Sequence, residues 1–147
     1  MHYADSSFLV ALYLGCDAHS ARANAWMART SEPIAFTPLQ RLELRNAIRL
    51  HQWRGHIESN VARGAIRQTD QDLQDGFLVH VAAGFADVCR KADELSEQNS
   101  GCRTLDLIHA ATALVIRAND FLSFDKRQRM LAKGAGLNVM PRMRGRS

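Results

Sequence analysis

Residues 103–139 read RTLDLIHAATALVIRANDFLSFDKRQRMLAKGAGLNV, and the order of patterns within them limits the fold more than any other part of the chain. From Leu107 to Ile116 the residues are apolar on nearly every helical side, which predicts a central helix running from about Leu105 to Arg117, with Thr104 as its cap. An apolar strand, Asp120 to Phe124, comes next. A helix from Lys126 to Lys133, ended by Gly134 and Gly136, leads into a last strand from Leu137 to Met140. Strands separated by helices predict a parallel sheet covered on both faces. Ligands of such sheets gather beyond the carboxyl ends of the strands. Two aspartates occupy positions that a plain core would not give them: Asp106 in the first turn of the central helix and Asp125 at the end of the strand before it re-enters a helix.

The upstream sequence repeats the alternation. Met1 to Ala4 reads as a buried strand, Ser6 to Leu14 as an apolar helix, Ala18 to Thr30 as a helix with Asp17 as N-cap, and Pro33 to Thr37 as a strand. Pro38 fits the first turn of a helix from Leu39 to Trp53 capped by Thr37. Ile57 to Ile66 reads as helix, Asp70 to Gly76 as loop, Phe77 to Val81 as either strand or helix, and Gly84 to Asn99 as amphipathic helix closed by Ser100 and Gly101. There is no internal repeat, and the 147 residues hold only three prolines and no linker-like tract, so a single domain over residues 1–140 is expected, followed by a basic tail over 141–147 that carries Arg142, Arg144 and Arg146.

Composition excludes several classes. Hydrophobic residues at 46% and charged residues at 23% fit a globular chain rather than a disordered or fibrous one. Cys16, Cys89 and Cys102 form no CxxC pair, which predicts free thiols rather than a disulfide framework or a zinc site. The longest apolar run near the start, Phe8 to Leu14, is far shorter than the roughly 18 residues of a membrane span, and no basic segment precedes it, so a cytoplasmic protein is expected. The net charge is +4, with 16 arginines against 3 lysines. An arginine fork suits phosphate, although such a bias also follows from genomic base composition; the charge permits a nucleic-acid partner without requiring one.

Two further acids stand out. Asp5 ends the first strand. Glu43 lies on a helix where Leu39, Leu42, Ala47, Leu50 and Trp53 share one face and Arg41, Arg45 and Arg49 form a row on another; on this reading Glu43 and Asn46 project from the buried apolar side and need partners. Each acid has a plain explanation by itself. Asp125 can be an N-cap, Asp106 can complement a helix dipole, and Asp5 can cap a helix in competition with Ser6 and Ser7. Four carboxylates that meet at one sheet edge need more than capping. Two of them about 5 Å apart repel by roughly 3 kcal/mol at an effective dielectric of ~20, so a converging set calls for a cation, and oxygen ligands favour Mg²⁺ or Mn²⁺ over zinc. His109, on the apolar helix after Asp106, reads as a packed and hydrogen-bonded core residue, and Trp26 and Trp53 as core or interface residues.

Four segments together resemble a PIN domain of the VapC type, the toxin ribonuclease of VapBC toxin–antitoxin pairs: YADSSFLVALYL, LQRLELRNAI, RTLDLIHAATAL and FLSFDKRQRMLAKGAGLNV, in that order and spread over nearly the whole chain. The resemblance implies a PIN-like three-layer α/β fold with a central parallel sheet flanked by helices. It also implies a Mg²⁺- or Mn²⁺-dependent endoribonuclease whose acidic pocket consists of Asp5, Glu43, Asp106 and Asp125. Asp5 and Asp106 would be the primary metal ligands, with Glu43 and Asp125 completing the site directly or through water. Ser6 matches the hydroxyl the family carries beside its first acid, and Arg103 and Arg127, next to Asp106 and Asp125, are candidates for RNA phosphate.

Partners implied by the likeness are an RNA substrate, a VapB-like antitoxin and a second copy of the chain. A stand-alone RNA-processing nuclease, or a PIN-like module that binds nucleic acid or protein without cutting, would share the fold. A haloacid-dehalogenase-like phosphatase is excluded because it needs DxD where this chain has Asp5-Ser6-Ser7; a receiver domain is excluded because it needs adjacent acids and a late lysine.

Overall fold

A computed structural model describes residues 1–143. Five short strands lie parallel in one sheet: β1 (His2–Ala4), β2 (Ile34–Phe36), β3 (Leu78–His80), β4 (Phe121–Leu122) and β5 (Val139–Met140). Their order across the sheet is β3-β2-β1-β4-β5, which puts the first strand at the centre. Among the described residues there are also seven helices: α1 (Ser6–Tyr13), α2 (Ser20–Met27), α3 (Pro38–Trp53), α4 (Ser59–Gln74), α5 (Phe85–Gln98), α6 (Thr104–Val115) and α7 (Lys126–Gly134). The ambiguous segment near Phe77 is therefore the edge strand β3, paired with β2 from Ile34↔Leu78 to Phe36↔His80.

Strand periodicity sorts the two cores. Ala4, Ile34, Phe36 and Leu122 face a cluster with Phe8, Leu9, Leu44 and Ile48, so α1 and α3 cover that side with α4 against them. Tyr3 and Phe121 point the other way, onto Ala113 of α6 and Ala132 of α7, with their rings stacked 5.8 Å apart. The sheet is thus buried on both faces, as the sequence of α6 demands.

Helix α3 starts on a capping box. Thr37 Oγ1 accepts from the Gln40 amide, and Gln40 Oε1 accepts in turn from the Thr37 backbone N–H at 2.7 Å. The buried row that follows is Gln40, Leu44 and Ile48, not the row expected from apolar spacing. Leu42 is 64% exposed, Trp53 83% and Leu50 37%, while Asn46 is exposed and Arg45 is half-buried against Asp70 at 2.9 Å. Gln40 explains the rotation. Its Nε2 donates to the Ala4 carbonyl at 2.7 Å, which ties α3 to the end of β1 and turns the Leu44–Ile48 row inward. Trp53 is therefore no core residue, whereas Trp26 is half-buried with its ring edge-on to His2 and Phe8.

Three local expectations also give way. The supposed loop over 70–76 is the end of α4, which continues because Thr69 is buried within it and the Tyr13 hydroxyl donates to Asp72 at 2.6 Å. Gly76, with φ +79°, then provides the left-handed turn after the helix. Asp17 does not cap α2: it accepts from the His19 amide at 2.7 Å in a turn ahead of the helix, whose N-cap is His19. Thr104 is the first residue of α6 rather than its cap, and the N-cap Arg103 makes no side-chain capping bond. The tail segment 144–147, with Arg144 and Arg146, lies outside the described residues.

The two sides of α3 should differ sharply in stability. Ile48→Ala is expected to cost about 2–5 kcal/mol in urea unfolding, whereas Trp53→Ala should change stability by no more than about 0.5 kcal/mol. A larger loss from Trp53→Ala than from Ile48→Ala would show that the buried face has been assigned wrongly.

Candidate metal-dependent active site

Asp5 follows β1 directly, at the carboxyl end of the central strand, and is only 2% exposed. Its position is fixed by three donors. Oδ1 accepts from the Ser7 hydroxyl at 2.6 Å and from the Phe8 amide at 3.0 Å, so Asp5 is the N-cap of α1, and Oδ2 accepts from the Ser123 hydroxyl at 2.6 Å. Burial nonetheless pushes its carboxyl above the ordinary aspartate range, with the hydroxyl and amide donors opposing that effect. No lysine or arginine pairs with it among the described residues. An ionisable group this deep without a cation beside it is costly, and sites of this kind are where function is found.

Ser123 ties this group to the next strand. It is fully buried in β4's continuation, and its Oγ also accepts from the Asp125 amide at 3.0 Å. Arg129 holds the same turn from below, donating to the Ser123 carbonyl at 2.6 Å and the Met140 carbonyl at 3.2 Å. Asp125 itself is exposed and caps α7, with Oδ1 accepting from the Arg127 and Gln128 amides at 2.8 and 3.0 Å. Capping thus explains its backbone role but leaves Oδ2 without a partner among the described residues.

Asp106 stands in the first turn of α6 and is half-buried. Gln128 of α7 donates its Nε2 to Asp106 Oδ1 at 2.9 Å, so the helix that Asp125 caps also steadies Asp106. The Gln128 side chain is buried, and its Oε1 has no hydrogen-bond partner among the described residues. Glu43 projects beside the buried row of α3 rather than from its middle, and His109 of α6 brings Nε2 to 2.7 Å from Glu43 Oε2.

The four acids do not form one closed cluster. Glu43 and Asp125 line a cleft of about 590 Å³ together with Ser6, Ser7, His19 and Asn46. Asp106 lines a second cleft of about 300 Å³ with Arg103 and Arg127. Both clefts run along the starts of α6 and α7, and Asp5 lies buried behind them with Ser7 and Ser123 in contact with it. Among the described residues, no three His, Cys, Asp or Glu side chains come close enough to ligate one ion together. Ser6 lies on the first cleft as expected, and Arg103 and Arg127 share the second with Asp106.

The residue set still fits a hard divalent cation. Every donor is a carboxylate or hydroxyl oxygen, none of the four acids has a lysine or arginine partner among the described residues, and free oxygens remain on Asp106 and Asp125. Zinc would call for Cys or His ligands, but His109 is turned to Glu43 and the His19 ring is stacked on Phe124.

The family model of the PIN domain matches residues 3–134. This chain belongs to the PIN-domain family. A solved PIN-like fold with which it aligns is the crystal structure of Mycobacterium tuberculosis VapC20, a toxin that cleaves the sarcin-ricin loop. The two share 19% identity over 93% of this chain and 96% of that one, with a TM-score of 0.65. No curated protein matches in sequence. In this PIN domain the α/β layers and parallel sheet expected from sequence are present, with Asp5 and Asp125 beyond the carboxyl ends of β1 and β4 and Glu43 and Asp106 on α3 and α6.

Sequence reasoning missed Ser7, Ser123 and Gln128, which position the acids. Ser123 did carry a signal. It is the one polar residue within FLSF, in a strand buried on both faces, where a hydroxyl needs a partner.

The sign of the Asp5 effect on stability follows from its raised carboxyl. The folded chain holds the Asp5 proton more tightly than the unfolded chain, so this group favours folding at acid pH, and that contribution is lost as pH rises from the unfolded aspartate value through the folded one. Asp5→Asn should therefore raise the melting temperature of metal-free protein at neutral pH, and the gain should shrink on acidification. A destabilised Asp5→Asn at neutral pH, by differential scanning calorimetry, would contradict the uncompensated charge.

Proposed function

We propose that this PIN domain is a Mg²⁺- or Mn²⁺-dependent endoribonuclease, and that it serves as the toxin of a type II toxin–antitoxin pair. The observation that carries the reading is Asp5: a buried carboxylate at the end of the central strand, positioned by three hydrogen-bond donors and left without a cationic side chain. Asp106, Glu43 and Asp125 approach the same sheet edge from α6, α3 and β4, which supports Asp5 and Asp106 as primary ligands and Glu43 and Asp125 as ligands directly or through water.

A bound cation would supply water activation and charge neutralisation at the phosphate. The protein's own residues do the placing. Ser7 and Ser123 fix the Asp5 carboxylate, and Gln128 fixes that of Asp106. Arg103 and Arg127 flank Asp106 in an open cleft, where their guanidinium groups can clamp the RNA backbone and hold the scissile phosphate against the acids. Ser6, on the neighbouring cleft, can donate to a phosphate oxygen. Because water attacks rather than the RNA 2′-hydroxyl, the products carry a 5′-phosphate and a 3′-hydroxyl.

RNA as substrate is supported by family membership and by the fold likeness to a toxin that cuts the sarcin-ricin loop. The toxin reading carries with it a VapB-like antitoxin and a homodimer as partners. No helix among the described residues is long and apolar enough to cross a membrane; a cytoplasmic site of action belongs to the toxin reading.

Asp5→Asn and Asp106→Asn should each abolish Mg²⁺-dependent RNA cleavage and relieve growth arrest on induction, with folding retained by circular dichroism. Arg103→Ala should instead raise KM more than it lowers kcat. Cleavage retained in both aspartate variants, or products ending in a 2′,3′-cyclic phosphate, would overturn the reading.

A further inference from the structure

His109 is the fully buried histidine of the site. It is 2% exposed, and it sits three residues beyond Asp106 on α6 with both ring nitrogens turned to polar atoms from other elements. Its Nδ1 lies 2.8 Å from the Tyr3 hydroxyl on the central strand, and its Nε2 lies 2.7 Å from Glu43 Oε2 on α3. Tyr3 is wholly buried, and burial, followed by the charge of Glu43, keeps its phenol protonated far above the ordinary tyrosine range. The two threonine hydroxyls nearby are committed as donors elsewhere: Thr112 to the Ile108 carbonyl at 2.7 Å and Thr37 to Gln40 Oε1 at 2.9 Å.

These contacts fix the direction of the hydrogen bonds. An ionised Glu43 can only accept, so the proton between it and His109 belongs to Nε2. In neutral imidazole Nδ1 is then an acceptor, and the Tyr3 O–H is the donor that reaches it. Nε2 and Oε2 are 2.7 Å apart but not in hydrogen-bond alignment, and neither atom has a hydrogen-bond partner among the described residues. The Glu43 carboxylate thus faces a single buried imidazole nitrogen at Oε2, and Glu43 lines the cleft that also holds Ser6 and Asp125.

We propose that Tyr3 and His109 form a positioning relay for Glu43: the Tyr3 hydroxyl locks the His109 tautomer that presents Nε2–H to Oε2, and this fixes the Glu43 carboxylate toward the cation site. The proposal rests on the ribonuclease reading of the same acids. His109 touches neither substrate nor cation; it acts through Glu43, as partners one step removed from a ligand do in metal sites. The relay also joins the three elements that carry acids from different parts of the chain, since Tyr3 adjoins Asp5, His109 shares α6 with Asp106, and Glu43 lies on α3.

Two measurements on the full chain test the relay. Long-range ¹⁵N–¹H correlation of the metal-free protein should show His109 with Nε2 protonated and Nδ1 bare, and Tyr3→Phe should blur or reverse that pattern. Mn²⁺ titration followed by electron paramagnetic resonance, without RNA, should show affinity weakened about 10-fold in His109→Leu and largely restored in His109→Gln, whose amide can replace the Nε2 donor. A protonated Nδ1 in the unsubstituted chain would overturn the relay. So would a folded His109→Leu protein that binds Mn²⁺ as tightly as the unsubstituted one. If His109→Leu fails to fold, Tyr3→Phe decides through the same Mn²⁺ titration, and unchanged affinity with an unchanged tautomer overturns the relay. Failure of the unsubstituted chain to bind Mn²⁺ at all would overturn the ribonuclease reading and the relay's purpose together.

Discussion

Burial of the Asp5 carboxylate at the end of the central strand is the constraint around which the rest of the site is built. β1 has neighbours on both sides, β2 and β4, so its last residue emerges in the middle of the sheet edge rather than at a margin. A carboxylate there must be satisfied within the protein, and the three donors that do so come from the first turn of α1 and from the end of β4. Those bonds set where α1 begins and where β4 must stop. They also bring Ser123, and with it the Asp125 turn, against the first strand. Removing the acid would leave the half-buried Ser7 and the buried Ser123 hydroxyls without their common acceptor.

From that point the other acids are positioned by neighbours, not by direct contact with Asp5. Asp125 caps α7, α7 presents Gln128, and Gln128 holds Asp106 on α6. On the other side, Gln40 ties the start of α3 to the carbonyl of Ala4, next to Asp5, and Glu43 lies one turn further along the same helix. A set of side chains that repel one another is thus assembled by amide and hydroxyl groups, none of which carries a compensating positive charge.

The sequence made the alternation of strands and helices readable because α6 is apolar all round and the strands are short and apolar, which only a covered parallel sheet satisfies. The acids were legible for the same reason: a charge is conspicuous at the edge of an apolar run. The face of α3 was not. Leu42, Leu50 and Trp53 form a more hydrophobic row than Gln40, Leu44 and Ile48, and only the buried bond from Gln40 to Ala4 selects the second row. The end of α4 was hidden by its Asp and Gln residues, which read as loop in isolation but are paired along the helix and to Tyr13 and Arg45. Ser7 was passed over because a serine hydroxyl beside a capping aspartate announces nothing further, and Ser123, though conspicuous as the one polar residue within FLSF, does not name its acceptor until Asp5 is placed beside it.

The central claim, that these separated carboxylates form one cation site, is tested most directly by anomalous scattering from crystals equilibrated with Mn²⁺. The account predicts an anomalous peak bounded by the Asp5 and Asp106 carboxylates, with Glu43 and Asp125 facing it. Well-diffracting crystals that show no peak among these four residues at saturating Mn²⁺, or a peak elsewhere on the molecule alone, would contradict it.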